Sequence, residues 1–353
     1  MRSSTSSSET HGLLSYATRH RRAWTLALAT LVSWAACLLI GWAGWKHTSA
    51  SAYLMDVVTA ADPPPNHYLA HARGGHVDHH VLYHGIDEES LQAMRRADVL
   101  LMGNSRLMFA LRGDALRQYF LPRGMRFFAL GFGHLEQHEV PLAIFRRFDL
   151  HPKVVLANVD NFFGGVPSPW AERVMRETPF DAWKVQMEAT AAYRTRRLLH
   201  RVVPHVPELW LEHREFVIHR SRRDGSWFLA TRFGRGLPLM DFYEGRDTLR
   251  PHNVALARAF KQTVEEAGAR LIFVLVPGRD VSLTAAQMLA GELNVPLVVP
   301  RVEGLRSMDA SHLTDESARR YALAFFRELD PVLGSGLPGA GHGGQVSRPP
   351  AVG

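Results

Sequence analysis

The chain has 353 residues, 46% of them hydrophobic, and 41 Lys and Arg residues against 34 Asp and Glu. That length supports one large core, or one core with an insertion, and near-average Gly and Pro contents argue against extended disorder. A net charge of +7 suits nucleic acid, an anionic membrane or an acidic polymer, but no zinc-finger spacing, aromatic RNA-binding signature or basic zipper accompanies it, which sets nucleic acid aside.

Residues 1–22 are Ser-rich and polar and are expected to form a short cytoplasmic tail. Ala23 to Trp45 then carries no charged side chain. As a helix it would be roughly 34 Å long, enough to span a bilayer core. Trp24, Trp42 and Trp45 lie near its ends, where amphipathic rings favour the headgroup layer. Arg2, Arg19, Arg21 and Arg22 precede it and only Lys46 follows closely. The positive-inside rule therefore predicts a single-pass anchor in the cytoplasmic (inner) membrane, N-terminus inside, with the rest extracytoplasmic and, in a Gram-negative cell, periplasmic. A cleaved signal peptide fits less well, because the run is long and lacks a small-x-small exit. A lipoprotein signal at Cys37, the single cysteine, fits worse still, since the apolar run continues past it. With one cysteine no intrachain disulfide can form.

Residues 46–90 read as a His-rich connector, and 91–333 as the main domain. Apolar runs at 97–103, 126–131, 153–159, 270–276 and 296–300 predict strands. Amphipathic segments at 106–119, 136–148, 253–267, 283–293 and 314–329 predict helices. Strands apolar throughout and separated by helices predict an α/β fold, a parallel sheet covered on both faces. Residues 164–250 break the rhythm and read as an insertion, with an Arg-rich amphipathic segment at about 180–203 and a hairpin turning at Asp224-Gly225. The tail 334–353, rich in Gly and Pro, is expected to be disordered.

Two blocks carry chemistry. In Leu100-Leu101-Met102-Gly103-Asn104-Ser105-Arg106-Leu107, Ser105 falls on the turn from strand to helix. A hydroxyl there is exposed at a strand's carboxyl end, with helix N–H groups aimed at developing negative charge. The same position also suits a helix-capping serine. In the second block, Asp309 stands three residues before His312 on a loop leading into the last helix, with Thr314 as its N-cap. A carboxylate so placed can orient an imidazole while its other nitrogen faces a nucleophile.

Gly103-Asn104-Ser105-Arg106 resembles the nucleophile block of the SGNH (GDSL-like) hydrolases and acyltransferases, where Gly-Asp-Ser is commoner. Asp309-Ala310-Ser311-His312-Leu313-Thr314 resembles that family's closing Asp-x-x-His block. The resemblance covers residues 97–161 and 253–329. It implies a three-layer α/β/α, flavodoxin-like domain and a serine esterase or O-acyltransferase with Ser105, His312 and Asp309 as triad and no cofactor. It also implies an oxyanion hole from the backbone N–H groups of Ser105 and Gly131 and an Asn side chain. In Ala157-Asn158-Val159-Asp160-Asn161 the family's glycine is missing, so Asn161 is the first choice for that donor and Asn158 the second. Asp160 could instead face the site, where a carboxylate would oppose an oxyanion. Membrane-tethered members similar in layout, the alginate O-acetylation and D-alanyl transfer proteins, act on envelope polymers. By that likeness the expected partners are an anionic glycan and a membrane acyl donor. The rival expectation is a catalytically silent scaffold in a polysaccharide-export or modification complex.

Other features have plain explanations. His67, His71, His76, His79, His80 and His84 could bind zinc, but match no standard ligand spacing and suit an exposed connector, so no metal is expected. Arg-rich 194–201 and 219–228 could meet anionic glycan or lipid, or form solvated faces. Trp170 and Trp227 could stack on sugars or serve as apolar anchors.

Overall fold

The computed structural model describes residues 30, 32–34, 63–72, 75–133, 136–164, 168–202, 217–229, 237–238, 251–278, 281–309 and 311–334. The chain falls into two units, 1–53 with 203–212 and 54–202 with 213–353, and the second holds the sheet and the helices that cover it. The tails, most of the 23–45 apolar stretch and much of 203–250 lie outside the described residues. Among those described, no helix is long and apolar enough to cross a membrane.

In chain order the elements are β1 (His67–Ala72), β2 (Gly75–His76), α1 (Val77–His84), α2 (Glu88–Arg95), β3 (Val99–Gly103), α3 (Ser105–Ala110) and α4 (Gly113–Phe120). Next come β4 (Phe127–Gly131), α5 (Glu139–Arg147), β5 (Val154–Asn158), α6 (Pro169–Arg176), α7 (Pro179–Val202), β6 (Ile218–Ser221), β7 (Trp227–Leu229) and β8 (Leu237–Pro238). The chain continues with α8 (Pro251–Glu266), β9 (Arg270–Val274), α9 (Leu283–Leu293), β10 (Leu297–Val298), β11 (Arg306–Ser307) and α10 (Asp315–Gly334).

The five expected strands form one parallel sheet in the order β10-β9-β5-β3-β4. Alternation of side chains sends Leu100, Met102, Val155, Ala157 and Phe273 to one face, packed with Leu91, Val140, Ile144, Phe260 and Leu289 of the flanking helices. Val99, Leu101, Val154, Leu156 and Ile272 go to the other, against Leu116, Phe120, Tyr321 and Phe325. Both faces are thus covered by helices, which is why these strands read as unbroken apolar runs. Strand order reverses between β3 and β5, and ligands in open α/β sheets bind beyond the carboxyl ends of strands at such a point.

Two stretches differ from expectation. The helix expected over 106–119 is broken at Leu111 and Arg112, whose backbones leave the helical region. The break seats Gly113 against Ser226, whose Oγ would lie 2.3 Å from an added Cβ. Residues 67–84 are not a loose connector. β1 pairs with β6 of the hairpin in a small antiparallel sheet, β2-β1-β6-β7, and α1 is buried, with His79 and His80 at most 1% exposed. Periodicity could not reveal this, because the partner strands are about 150 residues apart.

The hairpin turns at Asp224-Gly225 as expected and closes the edge of β4. Asp224 C=O accepts from Ala129 N–H (2.8 Å), and the buried Arg220 guanidinium donates to the carbonyls of Ala129 (2.8 Å) and Gly131. An edge strand otherwise left open is satisfied this way. Gly225 sits at φ +69°, and an added Cβ would lie 2.5 Å from Ala129 O. Gly124, at φ +67°, has nothing within 4 Å. Both Gly→Ala changes incur about 1–2 kcal/mol of left-handed backbone penalty. Gly225→Ala should lose about 1–3 kcal/mol more by overpacking, measured by urea unfolding; equal losses would contradict the docked turn.

Candidate active site

β3 ends at Gly103, and an added Cβ there would lie 2.9 Å from Leu107 Cδ2 and 3.0 Å from Asn158 Cβ, so the turn is tightly packed. The helix cap is Asn104, not Ser105. Asn104 is extended, and its Oδ1 accepts the N–H of Arg106 at 3.0 Å. Ser105 is the first residue of α3, half-buried, and its hydroxyl is not consumed in capping.

The second block is a closed loop. Met308 N–H donates to His312 C=O (2.8 Å), and Ser307 bridges Leu313. Within it, Asp309 Oδ1 accepts the backbone N–H groups of Ser311 (3.0 Å) and His312 (2.8 Å). Its Oδ2 lies 2.7 Å from His312 Nδ1, and His312 Nε2 lies 2.7 Å from Ser105 Oγ. The imidazole packs on buried Phe109, ring centroids 4.6 Å apart. Thr314 caps α10, its Oγ1 accepting Ser317 N–H at 3.4 Å. With Nδ1–H donated to Asp309, Nε2 is left as an acceptor for the serine proton.

No family model matches this chain, and no curated protein does. The chemistry of the site therefore rests on its geometry and on the residues themselves.

Partial burial disfavours ionised Asp309, but the bonds from the His312 ring and the two backbone N–H groups outweigh it and hold the carboxyl at about 2. Because the folded value lies below the unfolded one, the stabilisation is present above about pH 4 and lost as pH falls towards 2. The carboxylate is half exposed, so water screens the effect and its size is modest. The stability gap between wild type and Asp309→Asn, followed by urea unfolding, should narrow from about pH 5 to about pH 2; a gap that does not change with pH contradicts the assignment.

A buried network missed by the sequence reading ties the two blocks together. Arg106 donates from Nε to Ser311 Oγ (2.8 Å) and from Nη1 to Asp160 Oδ2 (3.0 Å). Asn104 Nδ2 reaches both oxygens of Asp160, at 2.9 and 2.8 Å. The Asp160 side chain is fully buried and that of Arg106 is 7% exposed. Three segments, the Ser105 turn, the end of β5 and the Asp309–His312 loop, are thus tied together around one ion pair. Asp160 has its charge met by Arg106 and Asn104. The signal was present in the sequence: an Arg directly after Ser105 and an Asp two residues past a strand, both costly to bury alone. Arg106→Met should destabilise the chain by about 3–5 kcal/mol by stranding Asp160, and Arg106→Met with Asp160→Leu should recover part of that. A double variant no better than the single one, by the same unfolding measurement, would contradict the pairing.

The expected oxyanion donors fare unevenly. Ser105 N–H opens α3 and makes no hydrogen bond within the described residues. Gly131 pairs in register with Gly103, and an added Cβ would meet Met108 Sδ at 2.6 Å, so glycine lets α3 sit close. Phe132 N–H donates to Gly103 C=O (3.1 Å), so the Gly131 N–H, one residue out of phase, leaves on the opposite edge of β4. Asn161 is exposed, with its backbone N–H on Asp160 Oδ1 (2.7 Å) and no hydrogen bond to Ser105 or His312. Asn158 is buried and engaged, accepting from Val276 N–H (3.0 Å) and contacting Asn104 Oδ1 (3.4 Å). The structure joins Ser105, His312 and Asp309 by hydrogen bonds, and does not join Gly131 or Asn161 to them.

Two of the histidines expected to be exposed, His79 and His80, are buried. His79 bridges Asp78 and Glu136 at 3.0 Å each, and His80 lies 2.7 Å from Glu177. Among the described residues, no three His, Cys, Asp or Glu side chains are grouped to hold a metal. Trp227 is an anchor, buried edge-on against Phe109.

Proposed function

We propose that this chain is an SGNH-like serine hydrolase or O-acyltransferase that forms an acyl intermediate on Ser105. The observation that carries the proposal is the pair of 2.7 Å contacts made by one imidazole, to Ser105 Oγ and to Asp309 Oδ2. Support comes also from the strand order, which sets Ser105 at the reversal point where open α/β sheets hold ligands.

Ser105 Oγ attacks the carbonyl carbon of an acyl ester while His312 Nε2 takes its proton. Asp309 holds the tautomer and offsets the imidazolium charge. The Ser105 N–H, at the positive end of α3, faces the developing oxyanion. As the tetrahedral adduct collapses, the C–O bond to the alcohol breaks and His312 returns the proton to it. Water or a second hydroxyl, deprotonated by His312, then attacks the acyl carbon, the bond to Ser105 Oγ breaks, and His312 returns the proton to Ser105. Water yields hydrolysis and an acceptor hydroxyl yields transfer.

On the same proposal, the uncharged stretch Ala23–Trp45 anchors the chain in the cytoplasmic membrane and the catalytic part lies outside it. The substrate is then an ester on a cell-envelope or exopolysaccharide glycan, and transfer would draw on a membrane acyl donor. A second reading, a silent scaffold in a polysaccharide complex, is supported by one observation: Asn158, at the end of β5, spends its side chain on Val276 N–H and Asn104 Oδ1.

A fluorophosphonate probe separates the two. The enzyme reading expects labelling of wild type, none of Ser105→Ala, and slowing by about three to four orders of magnitude in Asp309→Asn, the scale for losing the orienting carboxylate of a triad. Wild type as inert as Ser105→Ala would leave the scaffold.

A further inference from the structure

A second hydrogen-bonded chain reaches the nucleophile turn from the opposite side of the molecule, and it begins at a buried arginine. Among the described residues, Arg220 is the largest fully buried side chain. One Nη donates to Ala129 C=O (2.8 Å), and the other donates to Gly131 C=O and to Asp78 Oδ2 (2.9 Å). Asp78 also meets His79 Nδ1 (3.0 Å), His79 Nε2 meets Glu136 (3.0 Å), and Glu136 accepts from Ser168 Oγ (2.6 Å). Two cations and two carboxylates are therefore interleaved with almost no exposure to water. Burial alone would discharge His79, but the two carboxylates outweigh it and hold its pKa up at about 9.

The Gly131 carbonyl that Arg220 grips belongs to the same peptide unit as the Phe132 N–H. That N–H donates to Gly103 C=O at 3.1 Å, and the Gly103 carbonyl shares its peptide with Asn104, the cap of the helix that carries Ser105. A cation on the carbonyl end of a peptide polarises its N–H, so the bond to Gly103 is strengthened through the chain. Arg106 and Asp160 hold the nucleophile turn from the His312 side, and Arg220 holds it from the side of β4.

Building on the hydrolase proposal, we infer that Arg220, braced by Asp78, is a positioning residue for Ser105, acting through the Gly131–Phe132 peptide. Its fork spans two carbonyls and a carboxylate at once, which a lysine ammonium cannot reproduce. Displacing Ser105 by a fraction of an ångström from His312 slows attack without altering what binds the substrate.

The test uses the full chain, p-nitrophenyl acetate as substrate, and hydrogen exchange of peptides spanning 99–108, 127–133 and 270–276. Arg220→Lys should lower kcat about tenfold to a hundredfold with KM unchanged, and speed exchange in the first two peptides but not the third. Phe260→Leu, on the buried face of α8, serves as a core-destabilised control and should leave kcat alone. Should Arg220→Lys fail to fold, Asp78→Asn keeps the shape, loosens the guanidinium and should show the same pattern, more weakly. Wild-type kcat in folded variants, or exchange unchanged at 99–108, would overturn the inference. Wild type inert to ester and fluorophosphonate would count against the hydrolase proposal alone, since exchange still decides whether Arg220 holds the turn.

Discussion

One imidazole, 2.7 Å from a hydroxyl 207 residues earlier and 2.7 Å from a carboxylate three residues earlier, is the interaction on which the proposed chemistry depends. Such an arrangement is unfavourable to build by accident. Ser105 must clear its own helix cap, His312 must present one nitrogen to each partner, and both segments must arrive at the same end of the sheet. The fold meets these demands with separate devices. Asn104 takes the capping role, an Asx-type turn at Asp309 fixes the start of the His312 loop, and Phe109 supports the ring.

The surroundings of the triad are more heavily charged than a short motif would suggest. Arg106 with Asp160, and Arg220 with Asp78, are buried ion pairs flanking the same turn. Burying such pairs adds little net stability, since desolvation offsets attraction, but breaking either leaves a stranded charge. Both pairs therefore brace the backbone on either side of Ser105. Neither pair leaves an unpaired carboxylate to oppose an oxyanion.

Much of this was legible in the sequence. The five apolar runs became strands because a doubly covered sheet needs no polar face, and Ser105 and the Asp309–His312 block were visible as chemistry at strand and helix boundaries. The hairpin at Asp224-Gly225 was visible through its turn residues. What escaped was non-local. β1 and β6 pair across some 150 residues, so His79 and His80 read as exposed when they are core. The break at Leu111–Arg112 depends on Ser226 sitting against Gly113, which no helical period encodes. The side chains of Asn158 and Asp160, at the end of β5, are committed to Asn104, Arg106 and Val276, partners that lie far away in the chain.

The most direct measurement is peptide mapping of the full chain after rapid acid quench from an activated acyl ester. A serine-centred mechanism predicts one acyl group, carried by the peptide that contains Ser105 and absent when that serine is replaced. An acyl group on another residue, or none while ester is still consumed at a rate that survives the loss of Ser105, would contradict it.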